Sequence, residues 1–447
     1  MLYLRGTTLS YRLLRPGFTR RDLLRSAGVM AAATLFPAPS PAEETIPERR
    51  VRLIDEMERR ACQFFYEQAH PATGLVLDRA RANGGRDGRK MASIAATGFG
   101  LSALCIADLR GYLPGADVRR RVETTLEFLA HRTPLQNGFF FHFLDTETGE
   151  RSCACEASSV DTTWLLCGVL HAREHFGTGL VRELANEIVQ RVDWDWMWHS
   201  GPALCHGWTP ERGFLPYRWD CYSELLAMYL LAIGSATHPI PASAWTAWER
   251  PRRETQPGTL YIESPAPLFV HQYSHAWFDF RGLRDGPIDY FQNSRLATGL
   301  HREFCIGLHE RFPWFGEDMW GITASDSRYG YIDWGGPKSR SNSKIDGTLV
   351  PCASGGSLVF LPDECSLVLE TMLERYGKNI WSRYGFVDAF HPQADWWSRD
   401  VIGINVGISL LMAENYRSQA VWKAMMPALE VKRGIEAAQF KKTGASA

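Results

Sequence analysis

The chain has 447 residues, a formal net charge of −1, 22% charged residues and 45% hydrophobic residues. No basic stripe or excess of Lys and Arg is present to neutralise phosphates, which argues against nucleic acid as a partner. The apolar fraction is that of an ordinary globular chain able to bury a large core.

The N-terminus carries a processing pattern. "FTRRDLL" (18–24) precedes the apolar run "RSAGVMAAATLF" and the small-residue stretch "PAPSPA". A twin-arginine pair, a run too short to span a bilayer and a small-residue site are expected of a twin-arginine export signal over residues 1–42. The mature chain, residues 43–447, is then one domain in the periplasm or outside the cell. No other segment reads as a membrane span, so stable membrane insertion is not expected. The ten cysteines are scattered, and Cys153-Ala-Cys155 lacks a second pair at zinc spacing. A protein exported already folded from a reducing cytosol does not call for a disulfide framework.

In chain order, helical periodicity dominates. Residues 52–69 place Leu53, Ile54, Met57, Ala61, Phe64 and Phe65 on one face. Residues 96–110, 160–176, 221–233 and 403–414 are apolar nearly all round, and such helices must be buried on every side. Between them lie amphipathic stretches at 116–132, 179–194, 291–310 and 362–376, with further helices near 270–282 and 419–437. Alternation of wholly buried with half-buried helices predicts an all-α fold, an (α/α)6 toroid with an inner and an outer ring. No fixed repeat period speaks for a solenoid. "FFFHFLDTETGE" (139–150) predicts a small β-hairpin at one face, with its turn near Thr146–Gly149.

Four long loops, 135–150, 205–220, 315–336 and 384–401, hold the unusual residues, and loops of this length usually line a site. The composition includes 16 Trp, 15 Tyr and 23 Phe. Many Trp and Tyr fall in these Gly/Pro-rich stretches, where aromatic faces can stack on the C–H faces of sugars. Carboxylates flank the same loops. Glu224 lies in "WDCYSELLAMYLLAIG" (219–234), one turn inside an apolar helix by this reading. Unpaired burial there would raise its pKa as a general acid requires, whereas a partner such as Arg218 would make it structural. Asp161 starts a buried helix, as an N-cap or as a functional group. Asp326, Asp388 and Asp400 sit among aromatics and glycines. Glycoside hydrolysis needs one protonated and one ionised carboxyl across a cleft, and sequence alone leaves the second open. His271 and His275 share a helical face, but no HExxH motif is present, so contacts to sugar hydroxyls are preferred to metal. No phosphate loop, GxSxG or dinucleotide fingerprint appears, and no metal or cofactor is expected.

Several stretches together resemble a known family: "SSVDTTWLLCGVLHAREHF", "WDCYSELLAMYLLAIGSATHPI", "PLFVHQYSHAWFDFRGLRD", "IDYFQNSRLAT", "FGEDMWGITASD", "RYGFVDAF" and "GISLLMAENYRS". In order over roughly residues 50–440, they are similar to the bacterial glycoamylase-like domain, the group that contains glycoside hydrolase family 144. The resemblance implies an (α/α)6 barrel, export, and action on β-1,2-glucans, with inverting endo-acting hydrolases, exo-acting sophorose-releasing members and a transglycosylase domain among the relatives. It places the acid on Glu224 and matches family aspartates at Asp388, Asp326 and Asp161, leaving the base open; Asp388 is preferred, with Asp161, Asp326 and Asp400 as alternatives. Trp208, Trp320, Tyr329, Tyr384 and Trp397 become stacking platforms, and His271, Tyr273 and His275 substrate contacts. One departure stands out. Asn405-Val406 occurs in "GINVGI" where many relatives read "GIDQGP". That departure motivates an alternative, an inactive glucan-binding protein, beside a transglycosylase or exopolysaccharide-processing enzyme on the same fold.

Overall fold

Glycine positions on two apolar helices determine how closely the centre packs. A side chain on Gly98 would lie 2.2 Å from the carbonyl oxygen of Trp164, and one on Gly168 would lie 2.0 Å from that of Gly98. Only glycines let the two backbones cross in contact. The computed structural model describes residues 46–256 and 259–442. Two compact units are distinguished, 1–49 and 50–447. Of the first only residues 46–49, the opening of a helix, are described. The export signal expected over 1–42 lies outside the described residues.

The second unit is built of paired helices. Six wholly or largely buried segments form an inner set: α2 (Ile94–Arg110), α4 (Ser159–Phe176), α6 (Leu226–Gly234), a 3-10 turn (Leu268–His271) running into α7 (Tyr273–Trp277), α9 (Pro351–Gly355) and α11 (Gly403–Arg417). Specific contacts close this set into a ring. α2 meets α4 at the glycine crossing, and α4 packs on α6. The Ser274 hydroxyl accepts from the Ala227 amide at 3.1 Å and so joins α7 to α6. Gln272 donates to the Ala353 carbonyl at 2.9 Å, reaching α9. Gly355 rests on Ser409 of α11, and Gly407 of α11 rests on Phe99 of α2.

Amphipathic helices cover this ring: α1 (Ile46–Glu67), α3 (Gly115–His131), α5 (Leu180–Gln190), α8 (Tyr290–Gly307), α10 (Pro362–Ile380) and α12 (Leu429–Ala437). α12, last in sequence, covers α6. There Gly234 and Gly434 each face backbone of the other helix. The architecture is the (α/α)6 toroid expected from the alternation.

Three local expectations change. The helix at 221–233 begins only at Leu226, and Glu224 lies in the turn before it. α9 has no counterpart among the expected helices, because "PCASG" is too short and small to show a period. The hairpin at 139–150 is two ribbons. Leu135–Gln136 pairs with Phe139–Phe140 around Asn137-Gly138, whose φ values of 49° and 81° suit a tight hairpin turn. Phe143–Asp145 pairs with Met91–Ser93, and the chain reverses at Thr146–Gly149 as expected, with Leu144 bridging Arg151. All ten cysteines are free thiols.

The ring is clamped where α1, α2 and α11 meet. Arg110 holds the wholly buried Glu414 through two bonds of 2.8 and 2.7 Å. Arg417 binds Asp55 at 2.8 Å and also Glu58. Burial, the Glu414 charge adding to it, pushes the Glu58 carboxyl up to about 8 against the pull of the two arginines. Removing one partner of such a pair strands a charge in the interior. Arg110→Ala is expected to lower the stability of the folded state by about 3 kcal/mol, read as a lower urea midpoint at unchanged slope.

Candidate active site

Helices buried on all sides expose only their ends, and here the N-terminal ends gather. Asp161 is in the first turn of α4 and Glu224 sits two residues before α6. Tyr273 opens α7, Cys352 is second in α9 and Asn405 third in α11. The Tyr273 phenol lies within the fields of Cys352, Tyr331, Glu224 and Asp388, and burial pushes it far up. Both carboxyls are therefore near enough to act on the same phenol.

Glu224 is half-buried, and no ion pair to its carboxyl is found among the described residues. Its main-chain carbonyl accepts from Ser274 at 2.9 Å, which fixes the turn against α7. Arg218, the counter-ion weighed from the sequence, donates instead to the carbonyls of Trp198 (3.0 Å) and Ala203 (2.5 Å). Burial, reinforced by the nearby Asp161 charge, raises the Glu224 carboxyl to about 8; the Trp164 indole and His142 pull it back in part. At neutral pH it keeps its proton.

Asp161 does not cap its helix. Ser158 does, its hydroxyl accepting from the Asp161 amide at 3.2 Å and donating to the Asp161 carboxylate at 2.6 Å. The Asp161 carboxylate is left facing His142, whose Nε2 lies 3.5 Å away. The other ring nitrogen, Nδ1, is 3.1 Å from Glu156. Burial lowers the His142 imidazole, but Asp161 and Glu156 outweigh it and hold it at about 9. Ligand atoms of His142, Glu156 and Asp161 lie within 4.8 Å of one another. Both ring nitrogens already face carboxylates, so the trio has the form of an ion-pair strap rather than a ligand shell.

Asp388 is the second carboxyl near Tyr273. One carboxyl oxygen accepts from Asn405 Nδ2 at 2.8 Å and the other from the Asp326 amide at 2.6 Å. Asn405 also donates to the Ala324 carbonyl at 3.1 Å, which uses both amide hydrogens and sets its orientation. Burial and the Asp326 charge raise Asp388 to about 7, against these hydrogen bonds and Arg79. Asp326 is held by Arg79 at 2.8 Å and by Ser398 at 3.0 Å. Asp400 is held by Arg81 at 3.1 Å and Arg89 at 2.8 Å. These two aspartates already answer arginines, and Asp388 does not.

The sequence-derived contacts separate into two groups. Tyr273 lies at the centre; Trp208 and Trp397 are half-exposed, and Tyr329 is 77% exposed at a hairpin tip. Trp320 is wholly buried, and Tyr384 is buried with its hydroxyl bonded to Gln68 and Glu67. His271 and His275 are interior as well, bonded to Tyr222 at 3.1 Å and Ser294 at 2.9 Å. Desolvation pushes both imidazoles down to about 3, and they stay neutral. Sequence reasoning missed Asp78, Arg79, His142, Glu156 and Tyr331. Their only signal was residence in the loops ahead of α2, α4 and α9.

The Glycoamylase family model, described as "Putative glucoamylase", matches residues 216–428. A solved structure described as a "putative glucoamylase" from Bacteroides fragilis NCTC 9343 is 30% identical over 91% of this chain and all of its own, with a TM-score of 0.80. The endo-β-1,2-glucanase of Chitinophaga pinensis, solved with sophorotriose and glucose, is 26% identical over 88% of this chain and 99% of its own, with a TM-score of 0.79. An exo β-1,2-glucooligosaccharide sophorohydrolase of Parabacteroides distasonis is 26% identical over 433 residues, and the match covers 88% of this chain. The match spans only 59% of that relative's length.

The amide of Asn405 favours the charged form of Asp388. Asn405→Ala is therefore expected to raise the Asp388 titration midpoint by about one unit above the parent's, measured by 13C NMR of the carboxyl groups.

Proposed function

Since the chain belongs to the glycoamylase family, we propose that it is an exported glycoside hydrolase that cleaves β-1,2-linked glucan, with Glu224 as general acid and Asp388 as general base. The observation that carries this reading is the half-buried Glu224 just ahead of an inner helix, with a second, buried carboxyl, Asp388, acting on the same Tyr273 phenol; burial favours the protonated form of Glu224. Glycoside hydrolysis needs that pairing of a proton donor with an acceptor. The substrate follows from the named activities of the Chitinophaga and Parabacteroides relatives. Export follows from the twin-arginine pattern at residues 18–42.

In this scheme Glu224 gives its proton to the glycosidic oxygen as the bond to the anomeric carbon breaks. Asp388 takes a proton from the water that attacks that carbon, directly or through a hydroxyl of the crowded β-1,2-linked sugar. A water placed between two carboxyls gives inversion. The arginine pairs of Asp326 and Asp400 suit them to holding the Asp388 loop and its neighbours in place. Of the aromatics expected to stack on sugars, Trp208, Tyr329 and Trp397 are the exposed or half-exposed ones. No step calls for a cofactor.

Linear β-1,2-glucan is expected to be hydrolysed to shorter oligosaccharides, with product sizes read by chromatography and the new anomer by NMR. kcat/KM is expected to rise as Asp388 ionises near pH 7 and to fall as Glu224 ionises near pH 8. Glu224→Gln should lower kcat by about 10²-fold or more while leaving glucan affinity in place. Wild-type protein that binds the glucan without turnover would make it a binding protein instead.

A further inference from the structure

His142 has no part in the acid–base pair, yet it is the most tightly specified side chain near it. Its main chain is fixed on both sides, the amide donating to the Glu156 carbonyl at 2.9 Å and the carbonyl accepting from Ile94 at 3.2 Å. Its ring lies flat against Phe143, with centroids 3.9 Å apart. Nδ1 meets Glu156 at 3.1 Å, and Nε2 faces Asp161 at 3.5 Å. A neutral imidazole has one donor and one lone pair, so it would turn a lone pair toward one of the two carboxylates. Only the imidazolium donates from both nitrogens.

The charged groups acting on this ring are Glu156 from its own hairpin region, Asp161 from α4 and Asp78 from the segment before α2, and Glu224 feels the charge of both Asp161 and His142. His206 faces Glu156 from the far side. One cation thus stands among three carboxylates and next to the acid. We infer that His142 is a positioning residue that acts as a permanent cation: it straps Asp161 to Glu156, fixes the Asp161 charge beside Glu224, and sets how firmly Glu224 holds its proton.

The chemistry requires such an adjustment. Asp161 alone would bind the Glu224 proton more tightly, and an acid that holds its proton too well transfers it slowly. A fixed positive charge behind Asp161 offsets part of that field without supplying Glu224 with a counter-ion. This inference rests on Glu224 being the acid, and it can be tested separately from that reading.

His142→Gln keeps a polar side chain and removes the charge. The alkaline limb of the kcat/KM profile on linear β-1,2-glucan is then expected to move up by roughly half a pH unit or more, because a cation has been taken from the surroundings of Glu224. kcat should fall at the same time. Glu156→Gln, which touches neither Glu224 nor Asp161, should move the limb the same way at high pH by letting the imidazolium lose its proton. It also guards against misfolding of the first variant. A drop in kcat with the limb unmoved, or a downward move, in both variants would overturn the inference and leave His142 a packing residue. If the wild type hydrolyses no glucan, the proposed function fails, and two NMR readings still decide this point. The His142 ring should remain doubly protonated at pH 8, and the Glu224 carboxyl midpoint should rise in His142→Gln. A ring neutral at pH 8, or a Glu224 midpoint that does not move, refutes the inference whatever the activity.

Discussion

Six inner helices that bury every face leave only their ends for chemistry, and this constraint organises the rest of the molecule. Backbones that touch at Gly98 and Gly168 leave no room for a site between α2 and α4. The functional groups therefore collect where the helices begin. That end suits carboxyls, since unpaired amide hydrogens and the helix dipole favour negative charge there. Ser93 and Ser158 take up the capping of α2 and α4. Asp161 is thereby released from the structural task its position suggested.

Two opposed effects act on these carboxyls. Helix ends and hydrogen bonds favour the ionised form, while burial favours the neutral one. For Glu224 burial wins by a wide margin, because its neighbours are Asp161 and an indole rather than a guanidinium. For Asp388 two strong donors and Arg79 draw the balance back to about 7. A pair whose environments differ in this way can divide into donor and acceptor near neutral pH. Arg79, Arg81 and Arg89 are spent on Asp326 and Asp400, so the arginines of this face hold the loops, and among the described residues Glu224 and Asp388, the proposed catalytic carboxyls, carry no ion pair.

The ring was legible in the sequence because all-round apolarity and one-sided apolarity are different periodic signals. α9 carries no such signal in five small residues. The placement of Glu224 was legible only to within a turn, because Leu225 belongs to the apolar run but not to the helix. His271 and His275 matched a helical face, but period does not tell whether that face meets the cleft or the interior. The Tyr222 and Ser294 bonds that fix both histidines inside are contacts between distant segments. His142 and Glu156 were invisible for the same reason. They meet across a chain reversal, and Asp161 joins them from the next helix.

Asn405 shows how a residue that looks like a lost function can be a working part. From the sequence it stands where an acid is common, which suggested an impaired site. In the structure it is a donor, giving one hydrogen to Asp388 and the other to the Ala324 carbonyl. An ionised carboxylate in the same place could donate neither bond and would set like charges about a hydrogen-bond length apart. One of the two acids would then have to keep a proton. With Asn405 neutral, Asp388 meets no further like charge beyond that of Asp326, which Arg79 holds. A neutral donor at position 405 supports the ionised form of Asp388, and the substitution that cast doubt on activity is consistent with an ionisable Asp388 beside a proton-holding Glu224.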